Sequence, residues 1–169
     1  MFSKQLRPTR KRDDFMKKLL FLMALLCCFA LESCDLSTSA EEQLKATVEE
    51  VNNKCPMRVD EFTICDRIFT ENRKVVYQYL VDENFWGTTL QERNDVIFQL
   101  ELKSSLEDNL ESAKYNENLM SFLELIDDAG YDLVYRYIGS VSGFFIDVRF
   151  PNEELSGYYM EEACEVVAE

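Results

Sequence analysis

Histidine is absent from all 169 residues. That excludes Ser-His-Asp and Cys-His nucleophile systems and every histidine metal site, which removes a large share of small secreted enzymes. Glycine is scarce, with 5 residues, and no glycine-rich phosphate loop is present. Positive charge is in short supply, with 18 Lys+Arg against 32 Asp+Glu. The longest apolar run, Leu19–Leu31, has thirteen residues, too few for a bilayer span of about 20.

What is present begins with that run. Lys17 and Lys18 precede it and Glu32-Ser33-Cys34 follows, the pattern of a charged n-region, an apolar h-region and a polar end of a secretory signal. A core helix would carry a polar stripe at helical period, and Leu19–Leu31 has none. Met16 is the better signal-peptide start, and the basic run in Met1–Phe15 does not make a nucleic-acid site with an acidic domain behind it. Leu31-Glu32-Ser33-Cys34 resembles the lipobox of bacterial lipoproteins, in the relaxed form of the Bacteroidetes, departing from it at Glu32, where the usual pattern has a small residue. The resemblance implies cleavage after residue 33 and a lipidated Cys34 holding the chain at the cell envelope.

Seven of the 18 Lys+Arg and three of the 32 Asp+Glu lie in residues 1–34, so the remaining 135 residues carry 11 basic and 29 acidic side chains, a net charge of −18. Such a surface repels nucleic acid and anionic headgroups and favours basic partners or divalent cations. With Cys27 and Cys28 in the signal and Cys34 lipidated, Cys55, Cys65 and Cys164 remain. Three thiols cannot all pair internally; a Cys55–Cys65 disulfide and three reduced thiols both fit, and the spacing carries no metal motif.

The organisation expected is a signal peptide over 1–33, a lipidated Cys34 and tether over 34–40, one domain over 41–151 and an acidic C-terminal tail over 152–169, frayed or forming a short helix. Ser39 with Glu42 is a capping-box pattern opening a helix over about 40–53, with Leu44, Val48 and Val51 as its apolar stripe and Cys55-Pro56 ending it. Two strands follow, Val59–Thr70 and Val75–Asp82. Turning at Asn72-Arg73, they put Ile68 opposite Tyr77 and Asp66 opposite Tyr79, which leaves Asp66 among apolar and aromatic neighbours unless a bulge exposes it.

Thr89 with Glu92 repeats the capping box, and Val96, Ile97, Leu100, Leu106 and Leu110 keep helical spacing toward Lys114. After a kink at Tyr115-Asn116, a second helix over Glu117–Asp128 stops at Gly130. The strands Tyr131–Ile138 and Phe144–Phe150 then flank Gly139–Gly143, with Tyr137 set opposite Phe144 and Asp132 opposite Arg149. The fold expected is α+β: a four-stranded antiparallel sheet with helices on one face, in the order α-β-β-α-α-β-β. V-V-Y-Q-Y-L and L-V-Y-R-Y-I place Tyr77/Tyr79 and Tyr135/Tyr137 58 residues apart, a hint of a duplicated unit.

Asn52, Pro56-Met57, Val59-Asp60, Thr63 and Asp66, then the Tyr77/Tyr79 strand, Gly130 and Tyr135-x-Tyr137, resemble an uncharacterised family of small exported bacterial proteins over most of residues 45–150. The Gly139–Gly143 turn and Cys65-Asp66 depart from the family's Asp-Gly turn and Leu-Asp pair. The resemblance implies the fold and an exported domain, and it carries no catalytic residue.

Asp66, Tyr79, Tyr135 and Tyr137 are the candidates for ligand or partner contact: an aspartate beside aromatics, and a tyrosine set able to stack on a sugar or peptide. The favoured reading of the same residues is a satisfied polar group at Asp66 and, for the tyrosines, the core side of a sheet facing helices. Asp127-Asp128 and Glu161-Glu162 lack the D-x-D-x-D-G loop of a calcium site. No residue is assigned as catalytic, metal-ligating or cofactor-binding. The function expected is a non-enzymatic envelope module, lipid-anchored to the membrane, that binds a protein or polymer and no nucleic acid. The alternatives are an inhibitor or chaperone-like partner of one secreted enzyme, and a small hydrolase using carboxylates or Cys55.

Overall fold

The computed structural model describes residues 39–160. The signal segment, Cys34, most of the tether and the end of the acidic tail lie outside the described residues. Helix α1, Ala40–Asn52, starts as expected: Ser39 Oγ accepts the Glu42 N–H and the Glu42 carboxylate accepts the Ser39 N–H. Leu44, Val48 and Val51 face the core. The next elements are β1 (Met57–Arg58), β2 (Thr63–Glu71) and β3 (Lys74–Val81).

The long connection from β3 holds two single-turn helices, α2 (Glu83–Trp86) and α3 (Leu90–Arg93), then α4 (Val96–Glu111), a 3-10 turn (Ser112–Tyr115) and α5 (Glu117–Asp128). The chain ends in β4 (Asp132–Gly139), β5 (Phe145–Phe150) and α6 (Asn152–Tyr159). The Thr89/Glu92 capping box forms, but the helix it opens lasts one turn. Asp95 captures the Phe98 N–H at 2.8 Å and starts α4 afresh, a side chain competing with the backbone ladder and then capping the next helix.

The fold is α+β, with corrections to the expected sheet. It has five strands in the order β1-β2-β3-β4-β5 rather than four, because Met57 and Arg58 add a short edge strand to β2. It is also mixed: β3 and β4 are parallel and central. The helical connection from β3 to β4 is long enough to act as a crossover, which parallel neighbours require. The parallel register explains the 58-residue spacing, for Tyr77 pairs with Tyr135 and Tyr79 with Tyr137. The Y-x-Y repeat marks adjacent strands of one sheet.

Two expected registers also change. Ile68 does face Tyr77, but a bulge between Cys65 and Arg67 brings Cys65, not Asp66, opposite Tyr79. In β4–β5, Tyr137 pairs with Ile146 instead of Phe144, a slip of two residues that keeps every side chain on its expected face. Arg149 consequently sits opposite Val134 and reaches Asp132 diagonally, at 2.7 Å, while Arg136 pairs directly with Asp147.

The core lies between the helices and the sheet face that bears Tyr77, Tyr79, Tyr135 and Tyr137, together with Ile68, Leu133 and Phe150. The start of the expected tail belongs to this core. Leu155 of α6 is buried, and α6 is tied to α5 by Tyr159 Oη donating to Asp127 Oδ2 at 2.6 Å and by Asn152 Nδ2 donating to Asp127 Oδ1 at 2.9 Å.

Candidate functional site

The four tyrosines form one stacked row across the two parallel strands. Ring centroids are 5.5 Å apart for Tyr77–Tyr135, 6.3 Å for Tyr79–Tyr135 and 5.1 Å for Tyr79–Tyr137. None of the rings is more than 4% exposed, and Phe122 of α5 closes edge-on against Tyr77. A sugar or peptide cannot stack on faces that already stack on each other. Burial pushes the Tyr79 and Tyr137 hydroxyls up, away from ionisation. The Tyr137 hydroxyl has no hydrogen-bond partner among the described residues.

Asp66 lies apart from this row. The bulge turns it out of the core, its side chain is 36% exposed, and it accepts a hydrogen bond from Gln78 Nε2 at 2.9 Å. Turning a carboxylate into the apolar row without new partners would cost more than the roughly 2–7 kcal/mol of burying an unpaired amide or hydroxyl, so the strand bulges instead. The structure therefore separates Asp66 from Tyr79, Tyr135 and Tyr137. Asp127, weighed above as half of an acidic pair, is used by Tyr159 and Asn152. Among the described residues no group of three or more His, Cys, Asp or Glu side chains is placed to hold a metal ion.

The most heavily engaged carboxylate is one the sequence did not single out. Glu83, in α2, is only 3% exposed. Its oxygens accept the N–H of Leu90, the N–H groups of Val141 and Ser142 at 2.8 and 2.7 Å, and the Ser142 hydroxyl at 2.7 Å. Burial pulls its pKa upward, but the backbone and hydroxyl donors outweigh this and hold it down at about 2. Gly139 leaves the room: a Cβ there would meet the Glu83 carboxylate and the Ser142 hydroxyl. The clasp locks the connection after β3 to the turn after β4, at the carboxyl ends of the two parallel strands. In the sequence nothing marks the pairing, since Glu83 and the Gly139–Gly143 turn that supplies most of its donors lie more than fifty residues apart.

Beside the clasp lies the apolar surface of the connection. Phe85 stacks on Phe62 at 5.5 Å, Phe62 meets Trp86 at 5.5 Å and Trp86 meets Phe98 at 6.4 Å, with Arg93 over the indole at 4.8 Å. This aromatic chain fixes α2 against the first turn of α4. From there Val96, Ile97 and Leu100 point outward, 73%, 69% and 63% exposed, and Phe85 is 57% exposed. The buried side of α4 is Leu102, Leu106 and Leu110. The single stripe expected from Val96 to Leu110 is thus divided, with its first residues Val96, Ile97 and Leu100 exposed and Leu106 and Leu110 buried. At about 100° per residue, Ile97 and Leu106 stand half a turn out of phase.

No family model matches the chain and no curated protein matches it. Three solved structures are similar in shape. A protein described as secreted, from Pseudomonas aeruginosa, aligns at 16% identity and a TM-score of 0.49 over 70% of this chain and 98% of its own. The pilotin EpsS of the Vibrio vulnificus type 2 secretion system aligns at 13% identity and 0.48, over 69% and 91%. The type II secretion pilotin AspS of Vibrio cholerae aligns at 12% identity and 0.43, over 68% and 91%.

Proposed function

We propose that this chain is a cell-envelope protein, anchored in a membrane by lipid on Cys34, whose α+β domain is a non-enzymatic binding module. The observation that carries the reading is the outward apolar face of α4. Three large aliphatic side chains on one side of one helix, with Phe85 beside its base, form a surface with more apolar area than folding requires, the kind that marks a protein contact. It is built on rigid support, since the aromatic chain and the Glu83 clasp hold the connection that bears it. The partner that fits is a protein segment with apolar side chains flanked by Lys or Arg, matching a chain that carries 32 Asp+Glu against 18 Lys+Arg.

The test uses the full chain in a bacterial host, with a photo-reactive side chain at Ile97 or, as control, at Glu107 farther along α4. The expected result is a discrete protein adduct from Ile97 that is absent from Glu107 and is lost in an Ile97→Asp/Leu100→Asp variant of unchanged melting temperature. Detergent partitioning that is abolished by Cys34→Ser completes the expectation. Equal adducts from both positions, or binding undisturbed by the double variant, would overturn the assignment of the face.

A further inference from the structure

Cys55 and Cys65 meet where the segment after α1 passes the start of β2. Their Sγ atoms are 4.0 Å apart and both thiols are free. The contact is held from both sides. Met57, two residues beyond Cys55, pairs with Cys65 across β1–β2. The Cys55 N–H is bonded to the Asn52 carbonyl at 2.9 Å. Asn52 in turn takes the Ile68 N–H on its side chain at 2.8 Å, just past the bulge. The intervening loop is pinned by Asp60 Oδ1, which accepts the N–H groups of Phe62 and Thr63, each at 2.8 Å. Cys65 is buried in the core and Cys55 is half-buried, so one sulfur is open to an oxidant and the other waits behind it.

We propose that Cys55 and Cys65 close into a disulfide that staples the end of α1 to the sheet, with a disulfide-bearing oxidant as co-reactant. The Cys55 thiol gives up its proton and its sulfur attacks one sulfur of the oxidant, breaking that S–S bond and releasing the first thiol. Cys65 then gives up its proton and attacks Cys55 Sγ, expelling the second thiol. Two protein thiols are oxidised and one external disulfide is reduced to two thiols. Closure needs the sulfurs to move from 4.0 Å to about 2.05 Å, within reach of a side-chain rotation. Burial raises both thiols, Cys65 the more. That slows the attack but makes Cys65 a poor leaving group, so the closed bond resists reduction.

The pair acts at the fold rather than at the apolar face, and its test is independent of lipidation. Full-length protein is equilibrated with reduced and oxidised glutathione, quenched in acid, alkylated without reduction and mapped by mass. The expected product is a Cys55–Cys65 cross-linked peptide about 2 Da lighter than the two thiols. The melting temperature should rise by about 5 °C on closure and fall back with dithiothreitol. Cys55→Ser, at the half-buried position, should keep the reduced protein's melting temperature and abolish the rise. Glutathione retained on Cys55 with Cys65 free, a Cys55–Cys164 link, or both thiols alkylated at every potential would each overturn the proposal.

Discussion

The two hairpins use the same strand idiom and close by different means. The β2–β3 turn is complete in itself: Asn72 and Arg73 take φ of 46° and 56°, and Glu71 pairs with Lys74 immediately across the turn. Two consecutive left-handed residues are what a tight hairpin needs. The β4–β5 turn is wider, with Ile138 as the last residue to pair, opposite Phe145. Its strand ends are closed by Gly139 N–H to the Phe144 carbonyl at 2.9 Å and Gly143 N–H to the Gly139 carbonyl at 3.0 Å, while the Val141 and Ser142 amides at its tip donate to Glu83, more than fifty residues earlier. A turn closed by its own backbone alone is written locally, whereas one whose tip is also held by a distant carboxylate is written in two places. The first register therefore comes out of the local sequence from the turn as far as Ile68 opposite Tyr77 and changes only beyond the bulge, whereas the second is off by two residues from its turn onward.

The clasp is where the comparison breaks most forcefully. Glu83→Gln replaces an acceptor that serves three backbone N–H groups and a hydroxyl with an amide that brings donors of its own. A loss of about 3 kcal/mol in urea unfolding is expected, on the scale of hydrogen bonds to a charged group. Acid sharpens the same point. With its folded pKa held near 2 against an ordinary 4.5, Glu83 contributes stability that is fully present above the ordinary value and is lost as pH falls through the folded one. The gap between wild type and Glu83→Gln should therefore be constant above about pH 5 and shrink toward pH 2. A gap that does not change with pH would mean that the carboxylate's charge plays no part.

Gly139→Ala attacks the clasp from the other side, since its Cβ would displace the carboxylate and the Ser142 hydroxyl. A cost of about 2 kcal/mol is expected, and the double variant with Glu83→Gln should be less destabilised than the sum of the two, because both remove one set of bonds. Full additivity would place the Gly139 effect in the strand itself.

The self-closed turn should respond far less. Arg73→Gly removes a side chain from left-handed backbone, a gain of roughly 1 kcal/mol. It also removes the guanidinium that donates to the carbonyls of Ala129 and Gly130 past the end of α5, at 2.9 and 3.1 Å. The two effects nearly offset, so thermal melting within about 1 kcal/mol of wild type is expected. A loss much larger than this would make the β2–β3 turn as dependent on remote contacts as its counterpart.

The same division governs what could be read in advance. Capping boxes at Ser39 and Thr89, the α5 range and the stop at Gly130 depend on neighbours within a few residues, and they appear where expected. The strand pair β3–β4 joins segments 58 residues apart in parallel, and nothing local distinguishes that from two separate hairpins. The outward face of α4 was legible only in part: angular phase separates Ile97 from Leu106, whereas Val96 falls within about 40° of Leu110 and is exposed all the same. Treating the apolar residues as one stripe hid it. Glu83 was not legible, because its donors sit in a turn whose conformation it creates.

The smallest effect concerns the bulge that set Asp66 aside. Two consecutive polar residues, Asp66 and Arg67, cannot both face outward in a regular strand, since successive side chains alternate faces. The bulge lets them do so and turns Cys65 and Ile68 inward. If polarity rather than charge drives this choice, Asp66→Asn retains it, because the amide oxygen still accepts from Gln78 Nε2. A stability change within about 0.5 kcal/mol is expected, with Cys65 as slow to alkylate in the native protein as in wild type. If Cys65 instead becomes readily alkylated, the strand has straightened and the charge itself was holding the bulge. Register in β2 would then depend on one carboxylate as register in β4–β5 depends on Glu83, and the contrast between the hairpins would narrow to the turn alone.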